Sequence, residues 1–96
     1  MDQIHVVTYR FRDNLRQQDY RELTKKFTEV GDAPGVIAHY YRLDGRGGFT
    51  VLKSPEGDDA AKGLKVVMQY APWIDFETAV CTTIEEAFPV IQSVYG

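Results

Sequence analysis

Strand-type and helix-type hydrophobic patterns alternate along this chain of 96 residues, and their order limits the possible folds more than any single motif does. Residues 4–11 are rich in β-branched and aromatic side chains and contain neither glycine nor proline, which predicts a strand. Four apolar residues then recur at helical spacing, as on one face of a helix over 18–30: Tyr20, Leu23, Phe27 and Val30. Gly31 is well suited to end that helix.

A β-hairpin is predicted in the middle of the chain. Residues 36–43 have the composition of a strand, and residues 49–53 form the returning strand. The connection at 44–48 contains three glycines, which tolerate the positive φ angles of hairpin turns.

The C-terminal part predicts a second helix that ends at Pro72, a strand over 73–80 and a short last helix. Alternate residues of that strand share a face. Thr83 and Glu86 have the spacing of a capping box, so the last helix is expected from Ile84 to about Gln92.

The resulting order, β-α-β-β-α-β with a terminal helix, predicts a single α+β domain over 1–96 of the ferredoxin-like type. Right-handed crossovers give a four-stranded antiparallel sheet of order 4-1-3-2 with both main helices on one face. The first strand nevertheless carries large apolar residues on both faces, Val7 and Tyr9 on one and Ile4 and Val6 on the other. An uncovered apolar face is typical of an interface, so we expect a homodimer in which two sheets pack face to face.

Charge and cysteine content narrow the class of partner and the compartment. Eleven Lys and Arg residues against 14 Asp and Glu give a net charge of −3, which disfavours nucleic acid as a partner. The chain has neither a signal-type stretch nor the roughly 20 apolar residues of a membrane span. Cys81 is the only cysteine, which excludes an intramolecular disulfide and a multi-thiolate zinc site within one chain. We therefore expect a cytoplasmic protein.

The two histidines are the best candidates for acid–base chemistry. Each is expected on a face with apolar and aromatic neighbours: His5 with Val7, Tyr9 and Phe11, and His39 with Ile37, Tyr41 and Leu43. A neutral imidazole can accept a proton near neutral pH, and a tyrosine hydroxyl can polarise a carbonyl or enolate oxygen. The candidate catalytic residues are therefore His5, His39, Tyr9 and Tyr41. Alternatively, the histidines are hydrogen-bonded strand residues or lie in an interface.

Four further residues are candidates for substrate binding: Trp73, Tyr40, Arg42 and Asp75. Six Tyr, five Phe and one Trp are a high aromatic content for this length, and rings with polar tips are typical of a pocket for a planar ligand. An arginine can bind a ligand carboxylate or pair with an acidic side chain of the protein. Core contacts, dimer contacts and structural ion pairs are the alternative for these residues.

A metal site of the two-histidine, one-carboxylate type can also be considered, with Asp75 or Glu77 as the carboxylate. In the strand order 4-1-3-2, however, the third strand separates His5 from His39, whose backbones are then about 10 Å apart at best. We therefore expect neither a metal nor another cofactor.

Two segments resemble an uncharacterised family of small bacterial dimeric α+β-barrel proteins: the glycine hairpin with Phe49 directly after it, and the sequence Ala-Pro-Trp-Ile-Asp-Phe-Glu at 71–77. This resemblance covers nearly the whole chain. Residues 4–13 also resemble the first strand of the stress-responsive A/B barrel group, in which a plant polyketide cyclase uses the histidine that corresponds to His5 as its catalytic base. The resemblance implies a dimeric barrel with pockets. It also implies a superfamily that includes cofactor-independent monooxygenases, polyketide cyclases, isomerases, haem-degrading enzymes and ligand binders.

Two functions follow as hypotheses. The first is a cofactor-independent cyclase, isomerase or monooxygenase that acts on an aromatic or polyketide-like molecule, with His5 or His39 as the base and Tyr9 or Tyr41 as the hydrogen-bond donor. The second is a non-catalytic homodimer that binds a small molecule or another protein, since no motif in the chain has a unique chemical meaning.

Overall fold

Seven elements follow one another in the predicted order, as seen in a computed structural model that describes residues 3–54 and 60–96. The strands are β1 (Gln3–Phe11), β2 (Val36–Tyr41), β3 (Gly47–Ser54) and β4 (Ile74–Cys81). The helices are α1 (Gln17–Val30), α2 (Ala60–Tyr70) and α3 (Ile84–Tyr95). Within the described ranges, no helix is long and apolar enough to cross a membrane.

The strands form one antiparallel sheet in the order β2-β3-β1-β4, which confirms the predicted order. In the register, His5 lies opposite Leu52 of β3 and Val80 of β4. Because side chains alternate along a strand, the odd-numbered residues of β1 share a face with the even-numbered residues of β3 and β4. This is the α+β fold that the sequence predicts, with a strand order compatible with the ferredoxin-like arrangement.

The hairpin differs from the prediction at its glycines. β2 ends at Tyr41, before the predicted end at residue 43, and β3 begins at Gly47, before the predicted start at residue 49. Gly47 has a φ of 150°, and a Cβ there would lie 2.1 Å from the carbonyl oxygen of Tyr9. A residue without a side chain therefore lets β3 pair closely with β1 at this point. The N–H of Arg42 donates to the Gly47 carbonyl at 2.8 Å and closes the turn.

A register shift changes which residues accompany His39 on its face. The pairing of β2 with β3 shifts between Val36 and Ala38, which marks a bulge at Ile37. Ile37 is 64% exposed, and Leu43 lies in the turn beyond the end of β2. The prediction that both share a face with His39 is wrong, because the bulge interrupts the alternation and the strand ends before Leu43.

The last helix is longer than its sequence pattern predicts. Thr83 caps it as expected, since its hydroxyl oxygen accepts a hydrogen bond from the N–H of Glu86 at 3.2 Å. α3 continues past Gln92 to Tyr95, and the N–H of Gly96 donates to the Gln92 carbonyl at 2.9 Å.

The core of the described residues is small. Its buried hydrophobic members are Leu23 of α1, Tyr70 of α2 and Ile74 of β4.

The helices α1 and α2 lie over the sheet face that carries the odd-numbered residues of β1, which confirms the prediction that both main helices lie on one face. Tyr40, on the opposite face, is 58% exposed. Because so few side chains are buried, the space between these helices and the sheet is not filled.

Candidate functional site

A cavity of about 910 Å³ lies between the sheet and the helices α1 and α2. All four strands line it, each with residues that point to the helix side of the sheet. The polar and aromatic members from the two strands with histidines are His5, Tyr9 and Phe11 of β1 and His39 and Tyr41 of β2.

The helix side of the cavity is built from the apolar stripe that the sequence predicts for α1. Tyr20, Leu23 and Phe27 of that stripe all line the space. Phe27 is 43% exposed and Leu64, which lines the cavity from α2, is 59% exposed. The cavity is therefore open to solvent and accessible to a ligand.

Three polar side chains on the cavity wall form a continuous hydrogen-bonded chain. The Asp32 carboxylate lies 2.8 Å from Nδ1 of His39. Nε2 of the same imidazole lies 2.7 Å from the hydroxyl oxygen of Tyr9. We call this arrangement the Tyr9–His39–Asp32 relay.

The carboxylate determines the direction of the hydrogen bonds in the relay. An ionised carboxylate can only accept hydrogen bonds. Nδ1 of His39 therefore carries a proton, and this N–H donates a hydrogen bond to Asp32. In the neutral imidazole Nε2 is then an acceptor, and the Tyr9 hydroxyl donates to it. If the imidazole takes up a second proton, Asp32 stabilises the positive charge that results.

The end of α1 brings Asp32 to His39. Gly31 ends the helix with a φ of 73°, and its N–H donates to the carbonyl of Phe27 at 2.7 Å. Glycine adopts this positive φ without strain, so the chain can leave the helix axis at this residue. Asp32 follows directly and lies against the β2 imidazole.

Tyr9 reaches His39 across β3, which separates β1 from β2. In the register, Gly48 of β3 lies opposite Tyr9 on one side and opposite Tyr41 on the other. A Cβ on Gly48 would lie 2.7 Å from the hydroxyl oxygen of Tyr9. The missing side chain at Gly48 therefore provides the space in which the phenol crosses β3.

Aromatic rings surround the relay. The centroid of the His39 ring lies 5.5 Å from that of Tyr9 and 5.9 Å from that of Phe27, and both contacts are edge-to-face. The Phe11 ring lies 6.0 Å from the Tyr9 ring in the same geometry. Such contacts orient the rings.

Burial raises the pKa of Tyr9 from 10.0 to about 12. Electrostatic repulsion by Tyr41 and Asp32 raises the pKa of Tyr9 further. Both causes disfavour the ionised phenolate. Tyr9 is therefore protonated at neutral pH and takes part in the relay as a hydroxyl group.

The structure brings all four candidate catalytic residues to this one cavity. His5, Tyr9, His39 and Tyr41 line it together. His5 lies four residues before Tyr9 on the same face of β1, about 13 Å away along the strand. The Tyr41 hydroxyl donates to the Gly45 carbonyl at 3.3 Å. Tyr9 and His39 are thus the candidates that the relay joins.

Two of the candidate substrate-binding residues are aromatic and lie outside the cavity lining. Trp73 packs against the small core from the turn before β4, which begins at Ile74, one residue later than predicted. Tyr40 lies on the opposite face of the sheet, where its ring is 5.2 Å from that of Phe49.

The two charged candidates for substrate binding form ion pairs away from the cavity lining. Arg42 pairs with Asp44 inside the hairpin turn. Asp75 pairs with Arg12 at 3.4 Å. Both contacts agree with structural ion pairing, the alternative that the sequence leaves open for them.

The two histidines are held apart by β3, as the strand order predicts. Across the described part of the chain, no three or more His, Cys, Asp or Glu side chains are grouped so that they could hold a metal ion.

Asp32 is the site residue that the sequence analysis does not identify. The sequence places residues 32–35 in a loop between a helix and a strand, and no motif marks the carboxylate. The one usable signal is its position directly after the glycine that ends α1, since that helix covers the face to which His39 belongs.

A four-stranded antiparallel sheet, two helices over one face and a cavity between them define a small α+β protein with a candidate interior site. The chain belongs to a domain family of unknown function, DUF3303, whose family model matches residues 3–95. Membership of an uncharacterised family, which the resemblance indicates, is thereby confirmed. No curated protein matches the chain.

Proposed function

We propose that the cavity binds a small, mainly apolar, ring-bearing molecule and that the Tyr9–His39–Asp32 relay performs acid–base chemistry on it without a cofactor. The observation that carries this proposal is the continuous hydrogen bonding from Tyr9 to Asp32 on the cavity wall. A mostly apolar cavity with a small number of polar groups is typical of sites for small molecules.

The relay can move a proton in both directions. The Tyr9 oxygen takes a proton from an O–H or an acidic C–H of the ligand, while its own proton passes to Nε2 of His39. The imidazolium is stabilised by its charge-assisted hydrogen bond to Asp32. In the reverse sequence the proton returns to another atom of the same ligand, so the protein ends each cycle in its starting state.

Such a cycle fits an isomerase or a cyclase. In an isomerisation the proton leaves one atom and joins another while a double bond shifts. In a cyclisation the carbanion formed by proton removal attacks a carbonyl carbon of the same molecule, and the new alkoxide takes the proton. Neither reaction needs an oxidant. A monooxygenase would need O₂ as well, so we favour the first two classes.

Hydrogen–deuterium exchange of 2-tetralone in D₂O tests the proposal, since this neutral bicyclic ketone has acidic α C–H bonds. The wild-type protein should exchange them about 100-fold faster than buffer, a typical effect of a positioned acid–base group. Tyr9→Phe, His39→Gln and Asp32→Asn should each lose most of this acceleration. Mass spectrometry of the ketone gives the rates.

Matched controls change the same chemical groups elsewhere. Tyr95→Phe alters a phenol that is 85% exposed on α3, and Asp13→Asn alters an exposed carboxylate in the turn after β1. Both variants should exchange 2-tetralone at the wild-type rate. Exchange at the buffer rate by the wild-type protein, or equal rates in wild type and Tyr9→Phe, would contradict the proposal.

We further propose that the chain forms a homodimer through the sheet face opposite the cavity and through α3. That face carries Phe49 and Tyr40, which are 38% and 58% exposed. No residue of α3 is buried, and the part of it that we assign to the interface exposes five large apolar residues: Ile84, Phe88, Val90, Ile91 and Val94. The radius of gyration is 16.0 Å, against about 12 Å for a compact chain of this length. A second copy, which supplies the same two surfaces, would cover them.

A cytoplasmic location is part of the same proposal. The thiol of Cys81 is free and exposed. In the strand register Cys81 lies opposite Ile4 of β1, so its side chain is on the sheet face opposite the cavity. Free thiols persist in reducing compartments.

A further inference from the structure

We infer that the cavity selects uncharged ligands that carry a hydroxyl group, and that it binds this hydroxyl through acceptor oxygens of the protein, that of Tyr9 first. This inference rests on the proposed function, because it names the chemical class of the ligand for the same cavity.

Four hydroxyl groups of the lining already donate their protons within the protein. Tyr9 donates to His39 at 2.7 Å. Tyr41 and Tyr70 donate to backbone carbonyl oxygens at 3.3 and 3.4 Å. Thr24 donates to a backbone carbonyl oxygen of its own helix at 2.7 Å. All four residues line the cavity.

A hydroxyl group has one proton and two lone pairs. Since the proton of each of these four groups is already used in a hydrogen bond within the protein, only lone pairs can interact with a ligand. A ligand hydroxyl can donate to such an oxygen. An ether or ester oxygen can only accept, and it would lose its hydrogen bonds to water without a replacement. At the Tyr9 oxygen, the lining therefore favours a ligand group that donates.

The charges of the lining disfavour an anionic ligand. Among the described residues of the lining, Asp32 is the one carboxylate and no Lys or Arg is present. The lining groups that can become positive are the imidazoles of His5 and His39, and His39 is already bonded to Asp32. A ligand carboxylate or phosphate placed at Tyr9 would face the negative charge of Asp32 in a partly apolar space, without a cation of its own.

Three naphthalene derivatives of similar size separate these effects. At pH 7, 2-naphthol is a neutral donor, 2-methoxynaphthalene is a neutral acceptor and 2-naphthoate is an anion. The wild-type protein should bind 2-naphthol about fivefold or more tightly than either of the others, as expected for one additional hydrogen bond. Isothermal titration calorimetry measures the three dissociation constants.

The Tyr9→Phe/His39→Phe variant locates the acceptor, because it removes the Tyr9 oxygen together with Nε2 of His39, which Tyr9→Phe alone would leave free to accept. It should bind 2-naphthol and 2-methoxynaphthalene almost equally and keep the wild-type affinity for the ether, whereas Tyr95→Phe should keep the wild-type preference. Circular dichroism verifies that both variants are folded. An unchanged preference in the folded Tyr9→Phe/His39→Phe variant would overturn the assignment of Tyr9.

The wild-type comparison does not depend on any variant. If the ether or the carboxylate binds as tightly as 2-naphthol, the inference is overturned while the proposed ligand site stands. If none of the three compounds binds, the proposed function and the inference both fail.

Discussion

The hydroxyl oxygen of Tyr9 lies 2.7 Å from Nε2 of His39, although the strands that carry these residues are not neighbours in the sheet. The phenol crosses the intervening strand above Gly48, where a Cβ would lie 2.7 Å from the hydroxyl oxygen. The contact connects the centre of the sheet, through His39, to the carboxylate of Asp32.

Gly48→Ala should disrupt this contact. The new methyl group would meet the Tyr9 hydroxyl and, at 2.2 Å, the carbonyl oxygen of Tyr40. We expect the free energy of unfolding in urea to fall by about 1–3 kcal/mol, as for overpacked sites. The exchange of 2-tetralone should fall as well, since Tyr9 must move.

Gly63→Ala is the matched control for that substitution. A Cβ at Gly63 has no neighbour within 4 Å, and the residue lies in α2. Alanine should stabilise the helix by up to about 1 kcal/mol. If Gly48→Ala is as stable as Gly63→Ala, the close approach of Tyr9 to Gly48 is wrong.

The raised pKa of Tyr9 makes stability depend on alkaline pH. The pKa of the Tyr9 phenol is 10.0 in the unfolded chain and is raised to about 12 in the folded protein. Above pH 10 the unfolded state therefore binds fewer protons, so the free energy of unfolding should fall between pH 10 and pH 12. Tyr70, whose pKa burial also raises, adds to the same trend.

Urea denaturation at several pH values measures this dependence. Tyr9→Phe should make the decline between pH 10 and pH 12 shallower, because the substitution removes one ionisable phenol. Gly63→Ala, which removes no ionisable group, provides the comparison and should leave the slope as in wild type. Equal slopes in all three proteins would show that Tyr9 ionises normally when folded.

The hydrogen bond to Asp32 should hold His39 in one tautomer. We expect long-range ¹H–¹⁵N spectra of the neutral imidazole to show a proton on Nδ1 and none on Nε2. Asp32→Asn should produce a mixture of tautomers, since an amide can donate as well as accept. A proton on Nε2 in the wild-type protein would reverse the direction of the relay and disprove the proposed donor role of Tyr9.

A charge on the sheet face opposite the cavity should dissociate the proposed dimer. Val51 of β3 pairs with Val6 of β1 near the centre of that face. Analytical ultracentrifugation should find a dimer for the wild-type chain and a monomer for Val51→Arg. Leu43→Arg, in the exposed turn after β2, should remain dimeric. A wild-type monomer at micromolar concentration would refute this interface.

Much of the fold can be read from local patterns. The spacing of Leu23 and Phe27 predicts the face of α1 that lines the cavity, because a helical repeat depends only on neighbours along the chain. The hairpin ends and the face of Ile37 could not be predicted in the same way. They depend on how closely the backbone at Gly47 approaches β1 and on a bulge in the pairing of β2 with β3.

The candidate site was only partly predictable. His5, Tyr9, His39 and Tyr41 carry suitable chemistry, and the alternation of strand residues indicates which of them share a face. The same reasoning selects Tyr40 as readily as Tyr41, yet the two adjacent residues lie on opposite faces of the sheet. No local sequence pattern marks Asp32, and only its contact with His39 in the folded chain identifies it as a site residue.

The sequence by itself determined the elements, their order and the helix-covered sheet, because hydrophobic periodicity and short connections act between residues that are near in the chain. The tertiary structure alone decided which side chains form the relay. Tyr9 is 30 residues from His39, and Asp32 is seven residues from it. These three meet because α1 ends above β2 and because Gly48 leaves space over β3, and both are relationships between elements that no local pattern encodes.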